Sequence, residues 1–376
     1  MKYSKHIKHK FFRVLWISAA LTSLVSPALA FSPIIRDYES VRTEGMGGVR
    51  YSTGFYEDNF YANPARTTEN PESMFQLPKF TIEAGSGTLS SLSSLLGKSS
   101  GVSAVSGNIG KPLSAKFQFL FPAYYKREFL APFWSFGVGM QTSAQLVSEV
   151  SQTGIITPTT VIGAGPVITI ARRLLPEDRL SVGLNTHVEG RATSGNAFSI
   201  IDFLKGNAAT SLRGGSGVGI DFDLGTTFRP HWGLGGFNYE LGFATNNILG
   251  GTYSNLGGKI ADWAGAPIPS LRSFNFALAA RKDDLWKFKS FMMALEFTDI
   301  GNNTNGSIFR TLHIGTEAKW KFLAIRGGIN QGYFAAGLGF DFGFFCMDAS
   351  TYGEEMGLNV GSFEDRRYAI DFGFQI

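Results

Sequence analysis

The chain of 376 residues holds one cysteine, Cys346, and five histidines. A lone thiol cannot close an intrachain disulfide, so the fold must rest on hydrogen bonding and burial. No His/Cys cluster has the spacing of a metal site, and acidic pairs such as Glu354-Glu355 and Asp283-Asp284 read as solvated loop charge. No metal and no cofactor is therefore expected. A G-x-S-x-G nucleophile elbow is missing, and Gly214-Gly215-Ser216-Gly217 lacks the Lys-Ser/Thr of a phosphate loop. Nor does any apolar run reach the about 20 residues that a membrane-spanning helix needs.

The N-terminus reads as an export signal. Lys2, Lys5, Lys8, Lys10 and Arg13 precede an apolar run from Val14 to Val25, and Ala28-Leu29-Ala30 fits a cleavage site, placed after Ala30. No cysteine stands there, as a lipid-anchored lipoprotein would require. The signal also explains a pI near 9.0: residues 1–30 carry five basic and no acidic residues, so the net charge falls from +4 to +4 − 5 = −1 for the mature chain. That balance speaks against a nucleic-acid partner.

What is abundant is glycine and phenylalanine, 46 and 34 residues, in a chain of near-neutral mean hydropathy. Phenylalanine spread over a lipid-facing belt and offset by a polar interior gives that average. Alternation at period two supports the reading. In Ser273 to Arg281, Phe274, Phe276, Leu278 and Ala280 share one face, and Asn275, Ala277, Ala279 and Arg281 the other. The polar face is mostly Gly, Ala, Ser and Asn with a few acids, which suits a crowded or watery lumen better than a solvent-facing sheet; a secreted sandwich or propeller is the competing fold.

Strands are expected near 79–86, 115–121, 133–147, 160–171, 178–191, 217–228, 238–246, 272–281, 288–298, 309–318, 321–329, 333–342, 345–352 and 366–376. That makes an all-β fold, a transmembrane antiparallel β-barrel of about fourteen strands occupying 79–376. Connections should alternate between short periplasmic turns and long outer loops. They mostly do, with the two-residue Gln331-Gly332 as the exception where an outer loop such as 148–159 is expected. The short turns carry Arg172, Arg173, Lys282, Lys287, Lys319 and Lys321 beside Trp232, Trp286 and Trp320, as a headgroup girdle would. His187 and His313 fall on the polar faces of distant strands, as lumen lining rather than a catalytic pair, so no enzyme is expected. At the end, Tyr368, Ile370, Phe372, Phe374 and Ile376 alternate with small and polar residues, the kind of terminal strand that the barrel-assembly machinery reads, with Ile376 in place of the usual aromatic.

Before the strands, Phe31 to Pro78 shows no sustained alternation. Gly45, Gly47, Gly48, Gly54, Asn59 and Asn63 suggest tightly folded, non-repeating backbone. Such backbone is tolerated at membrane depth only when protein encloses it, so a lumenal plug at 31–78 is expected, with an exposed periplasmic segment as the alternative. Two further stretches, 85–110 with Leu89, Leu92, Leu95 and Leu96 at helical spacing and the apolar 198–204, read as surface helices or simple loops.

Gly45-Met46-Gly47-Gly48-Val49 followed by Asn59-Phe60-Tyr61-Ala62-Asn63-Pro64-Ala65 resembles the plug motifs of the FadL-like (long-chain fatty-acid transporter-like) superfamily of outer-membrane barrels. Arg326-Gly327-Gly328-Ile329-Asn330 and Ala336-Gly337-Leu338-Gly339-Phe340 look more like its PorV-like and TraF-like branch. The resemblance implies a plug containing Asn63, Pro64 and Ala65 inside a fourteen-stranded barrel in the bacterial outer membrane. It implies passive transport of small hydrophobic, fatty-acid-like molecules, released laterally beside a kinked strand. The alternative it implies is a non-transport platform for a secretion or conjugation partner, with loops 192–216 and 247–271 as its surface. Outer-membrane lipid and the barrel-assembly machinery are partners under either reading.

Overall fold

Residues with two unlike faces can satisfy every amide and keep one face oily only by pairing edge to edge until the sheet closes. The computed structural model describes residues 33–96, 109–175, 179–199, 201–202, 214–253, 265–302 and 306–376, and the expected signal lies outside them. The first strands are β1 (Met74–Gly85), β2 (Pro112–Leu120), β3 (Ala123–Lys126), β4 (Trp134–Val150), β5 (Ile155–Arg173) and β6 (Leu180–Ser194). They continue through β7 (Phe198–Ser199), β8 (Gly215–Phe228), β9 (Asn238–Asn246), β10 (Ser273–Leu285) and β11 (Phe288–Ile300). The last are β12 (Leu312–Trp320), β13 (Leu323–Asn330), β14 (Tyr333–Asp341), β15 (Phe345–Glu355) and β16 (Glu364–Gln375).

β2 and β3 both pair with β1 and with β4, so they are two halves of one stave, and β7 is a two-residue continuation of the β6 stave along the start of β5. Fourteen antiparallel staves remain, the expected number. The cylinder closes where β1 pairs with β16, and Phe75 and Ile376 exchange both backbone hydrogen bonds at 2.8 Å to finish the seam.

Exposure settles barrel against sandwich. On β10, Phe274, Phe276 and Leu278 are 40 to 50% exposed, while Asn275 and Ala277 between them are buried. The same inversion holds around the wall: Ile82, Phe117, Leu224, Leu241, Ile314 and Ile370 face outward, and Lys79, Lys116, Asn185, Glu296, His313 and Asp371 face inward. In water this arrangement would be inside out; against lipid it is the stable one. Among the described residues no helix is long and apolar enough to cross a membrane.

The sequence places the staves well but misjudges some ends. β1 starts at Met74, inside the segment assigned to the plug, and β4 and β5 run on until the expected loop 148–159 shrinks to 151–154. Alternation continues through those residues, so the strands outlast the bilayer they cross. The opposite wall is low, with β13 at 8 residues against 19 for β5. There the exceptional turn is real: Gln331 and Gly332 both take positive φ, at 51° and 91°, as a two-residue hairpin turn of the type I′ form demands. The leucine-spaced stretch forms a helix at Ser86–Leu96, packed on β1, β2 and β16, with Leu89 and Leu92 exposed.

The segment before β1 lies inside the cylinder. It comprises a short helix at Val41–Gly45, 3-10 turns at Tyr56–Phe60 and Pro64–Glu69, and irregular backbone between them.

Candidate functional site

Asn63-Pro64-Ala65 is a docking element. Proline opens the second 3-10 turn, and Asn63 caps it by accepting the Ala65 amide at 3.2 Å. The other end of the Asn63 side chain donates to Tyr51 O at 3.0 Å in the plug and to Thr226 O at 3.1 Å in the wall. This close approach needs a wall without side chains. Gly183 and Gly225, paired across β6 and β8, supply it, since a Cβ on either would collide with the Asn63-Pro64-Ala65 backbone or side chains.

The Gly45-Met46-Gly47-Gly48 stretch sits against a second bare patch. Gly47 and Gly48 adopt left-handed φ of 72° and 85°, and Met46 O faces Gly315 and Gly328, which pair across β12 and β13. A Cβ on Gly45 would lie 2.9 Å from the Cα of Gly337 on β14. His313 is part of this seat: its Nδ1–H donates to Gly47 O at 2.8 Å. Gly45, Gly47, Gly48, Asn63, Pro64 and Ala65 thus lie against the wall at two separate places, whereas Gly54 meets only the plug's own Arg50, Asp58 and Asn59.

Between the seats, charge fixes the plug. Glu296 on β11 accepts the amides of Arg50, Tyr51 and Ser52 at 2.8, 3.1 and 2.9 Å and the Ser52 hydroxyl at 2.8 Å. Arg42 forks onto Glu317 with two bonds of 3.0 Å. Lys79 bridges Glu57 and Asp371, both at 3.0 Å, and Lys116 bridges Glu44 and Glu83 at 2.9 and 2.8 Å. Arg36 reaches Asp299 at 2.9 Å, and Arg66 pairs with Glu240. In the plug, burial pushes the Glu39 carboxyl up, but Arg36, Arg50 and Lys116 outweigh it and hold the group down at about 2. For Glu44, burial wins and the carboxyl sits well above its ordinary value despite Lys116. None of these partnerships was legible in the sequence beforehand; a lone acid on an otherwise apolar strand, such as Glu296 in Phe291-Met292-Met293-Ala294-Leu295-Glu296-Phe297, was the available signal.

The wall has a flaw. Gln76 pairs with Ala123 and Lys79 with Leu120, which leaves Leu77-Pro78 facing Phe121-Pro122 with no registered pairs. A proline on each side removes the donors that a ladder needs there. The β1–β16 register shifts at the same level, between Gln76 and Lys79. Outside the break stand four phenylalanines in successive ring contacts, Phe372 stacked on Phe80, Phe80 tilted on Phe119 and Phe119 edge-to-face with Phe121, with centroids 4.5 to 5.4 Å apart. Inside it lies an apolar cluster of the lumen: Phe60, Met74, Ala123, Tyr125 and Val167. Met74, Gln76 and Lys79 also line a cavity of about 930 Å³ beneath the plug, at the end of the barrel where the chain terminates at Ile376.

Above the plug the mouth is polar. His187 faces Asp223 at 3.4 Å, and Asp221 and Asp223 accept amides of Asn247, Leu249 and Gly251, drawing the start of the β9–β10 loop inward. His187 and His313 thus occupy separate structural networks. Much of loops 192–216 and 247–271 lies outside the described residues. Tyr368, Ile370, Phe372, Phe374 and Ile376 all point outward from β16.

A closed wall with an oily exterior, filled by its own N-terminal segment, defines a plugged outer-membrane β-barrel. Two solved structures are similar to this chain in fold. A deletion mutant of the monoaromatic hydrocarbon channel TodX aligns over 91% of this chain and 99% of its own, at TM-score 0.54 and 12% identity. The toluene transporter TbuX of Ralstonia pickettii aligns over 90% and 98%, at TM-score 0.51 and 12% identity. At such identity the likeness is one of fold, and it is the FadL-like fold that the plug motifs suggested. No protein-family model matches the chain, and no curated protein sequence is similar to it.

Proposed function

We propose that this protein is a passive outer-membrane transporter for small hydrophobic molecules, fatty-acid-like amphiphiles among them, which move between the lower cavity and the bilayer through the break at Pro78 and Pro122. The unpaired ladder carries the reading. Opening a wall elsewhere would break a row of interstrand hydrogen bonds, each costing several kcal/mol if left unmade in lipid. At Leu77-Pro78 and Phe121-Pro122 that cost is already met, and apolar side chains stand on both faces. A cavity of about 930 Å³ matches the size of small-molecule sites. The names of the similar structures, a hydrocarbon channel and a toluene transporter, agree with this substrate class.

The test is a variant in which valine replaces both Pro78 and Pro122, restoring two N–H donors to the ladder. Reconstituted in liposomes, it is expected to pass a hydrophobic fluorophore several-fold more slowly than the parent, with heat-modifiable barrel migration unchanged. Equal flux would refute a lateral route.

A platform role for a secretion or conjugation partner draws on a different observation. Where the wall is lowest, Phe334, Ile308 and Phe309 are 61 to 79% exposed at the rim. Replacing all three by serine should then release a co-purifying protein without altering fluorophore flux.

A further inference from the structure

The cavity beneath the plug contains a collar of positive charge around one ring. Phe55 has Arg42, Arg66, Arg281 and Lys319 within 5.0 to 6.0 Å of its centroid, drawn from two points of the plug and from two staves. Arg66 and Arg42 are committed to Glu240 and Glu317. Arg281 is not: its side-chain hydrogen bond goes to Met292 Sδ at 3.4 Å, and among the described residues no carboxylate reaches it at ion-pair distance, although Glu240, which Arg66 and Arg229 already hold, attracts it from further off. Lys319 stands 3.8 Å from Glu317, which Arg42 and Arg326 already occupy. Phe55, Arg42, Arg281 and Lys319 all line the cavity.

Like charges held this close repel, and a half-buried guanidinium without an anion forfeits the strongest bonds it can make. We infer that the Phe55 collar is an oxyanion site, filled by a phosphate group that Arg281 holds in a forked contact while Lys319 supplies a second charge. A phosphate fits better than a single carboxylate because Arg281 has no ion-pair partner among the described residues, Lys319 shares Glu317 with two arginines, and the two cations approach from different staves. The phosphate belongs either to a free ion or to a lipid headgroup, and the cavity admits both. The site does not depend on the lateral route: it lies among charges, whereas the route needs only the ladder break.

Two probes distinguish the sources, inorganic phosphate and dodecyl phosphate, titrated calorimetrically into the full-length barrel in non-ionic detergent at fixed salt. The parent should bind at least one, with affinity that falls as salt rises. Arg281→Gln should weaken binding about tenfold or more, Arg281→Lys should recover part of it, and Lys111→Gln, far away beside β2, should change nothing. If Arg281→Gln fails to fold, Lys319→Gln should give a smaller loss in the same direction. Tighter binding of dodecyl phosphate assigns a lipid headgroup, and equal binding assigns the free ion. Absence of binding by the parent, or binding indifferent to both substitutions, overturns the assignment. The variant with both prolines replaced by valine should keep the site intact, so loss of flux and loss of phosphate binding report separately.

Discussion

Glu296 accepts the amide of Ser52 at 2.9 Å from across the lumen, and the same carboxylate takes the amides of Arg50 and Tyr51. One wall residue thereby satisfies three consecutive plug donors that have no strand or helix to join. Removing it leaves buried amides unmade at roughly 1–3 kcal/mol each, so Glu296→Ala should loosen the plug by about 3 kcal/mol or more. Amide exchange at residues 50–52 should accelerate while the exchange of β10 and β11 stays slow; uniform acceleration would mean that the carboxylate supports the barrel instead.

The paired glycines under Asn63-Pro64-Ala65 give a steric version of the same test. A valine at Gly225 cannot share space with Asn63 and Pro64. The strand itself tolerates valine, which favours β structure. Gly225→Val should therefore form a barrel with an unseated plug, read as raised conductance in planar bilayers. Gly327→Ala meets nothing nearer than 3.9 Å and should conduct like the parent. Deleting residues 33–72, which spares β1, should raise conductance further.

Acid should release the plug in a defined window. Glu39 titrates at about 2 in the folded protein against an ordinary value of 4.5. Its contribution is therefore fully present above about 4.5 and is lost as the pH falls toward 2, amounting to about 3 kcal/mol at one unit per 1.36 kcal/mol. Glu44 acts with the opposite sign: its raised value means that its buried charge costs stability as the pH climbs through and beyond 4.5. Protease cleavage within the plug should rise between pH 4.5 and 2 in the parent, and Glu39→Gln should flatten that rise. A rise unaltered by the substitution would place the acid sensitivity elsewhere.

The wall was readable in advance because every strand residue answers to one of two environments, and period-two alternation records which. Phe276 against Asn275 is such a record, and so is Phe372 against Asp371. The plug has no such repeat. Its position was legible only as backbone that needed shelter, and its seats only as glycines scattered through β6, β8, β12 and β13, which look like ordinary strand glycines until Pro64 and Met46 are seen lying on them. The ladder break was hidden for another reason: Pro78 fell at a presumed domain edge and Pro122 at the start of a turn, and only register brings them level. Ion pairs such as Lys79 with Glu57, 22 residues away, leave no spacing to search for.

Ile376 combines a backbone that closes the seam with an exposed apolar side chain, and the two features can be tested separately. Ile376 exchanges both backbone bonds with Phe75 and finishes the β1–β16 seam, while its side chain, with Phe374 and Phe372, faces outward where an assembly factor would read it. Deleting Ile376 removes two hydrogen bonds worth about 1 kcal/mol each, so barrels refolded in detergent should lose only about 2 kcal/mol. Ile376→Ser keeps both backbone bonds and removes the apolar side chain, and in detergent it should fold nearly as the parent does. In cells the ranking becomes diagnostic. If the terminal side chain is recognised, the serine variant should reach the outer membrane as poorly as the deletion. If the seam alone matters, it should assemble as well as the parent, and the terminal residue is then a closure and nothing more.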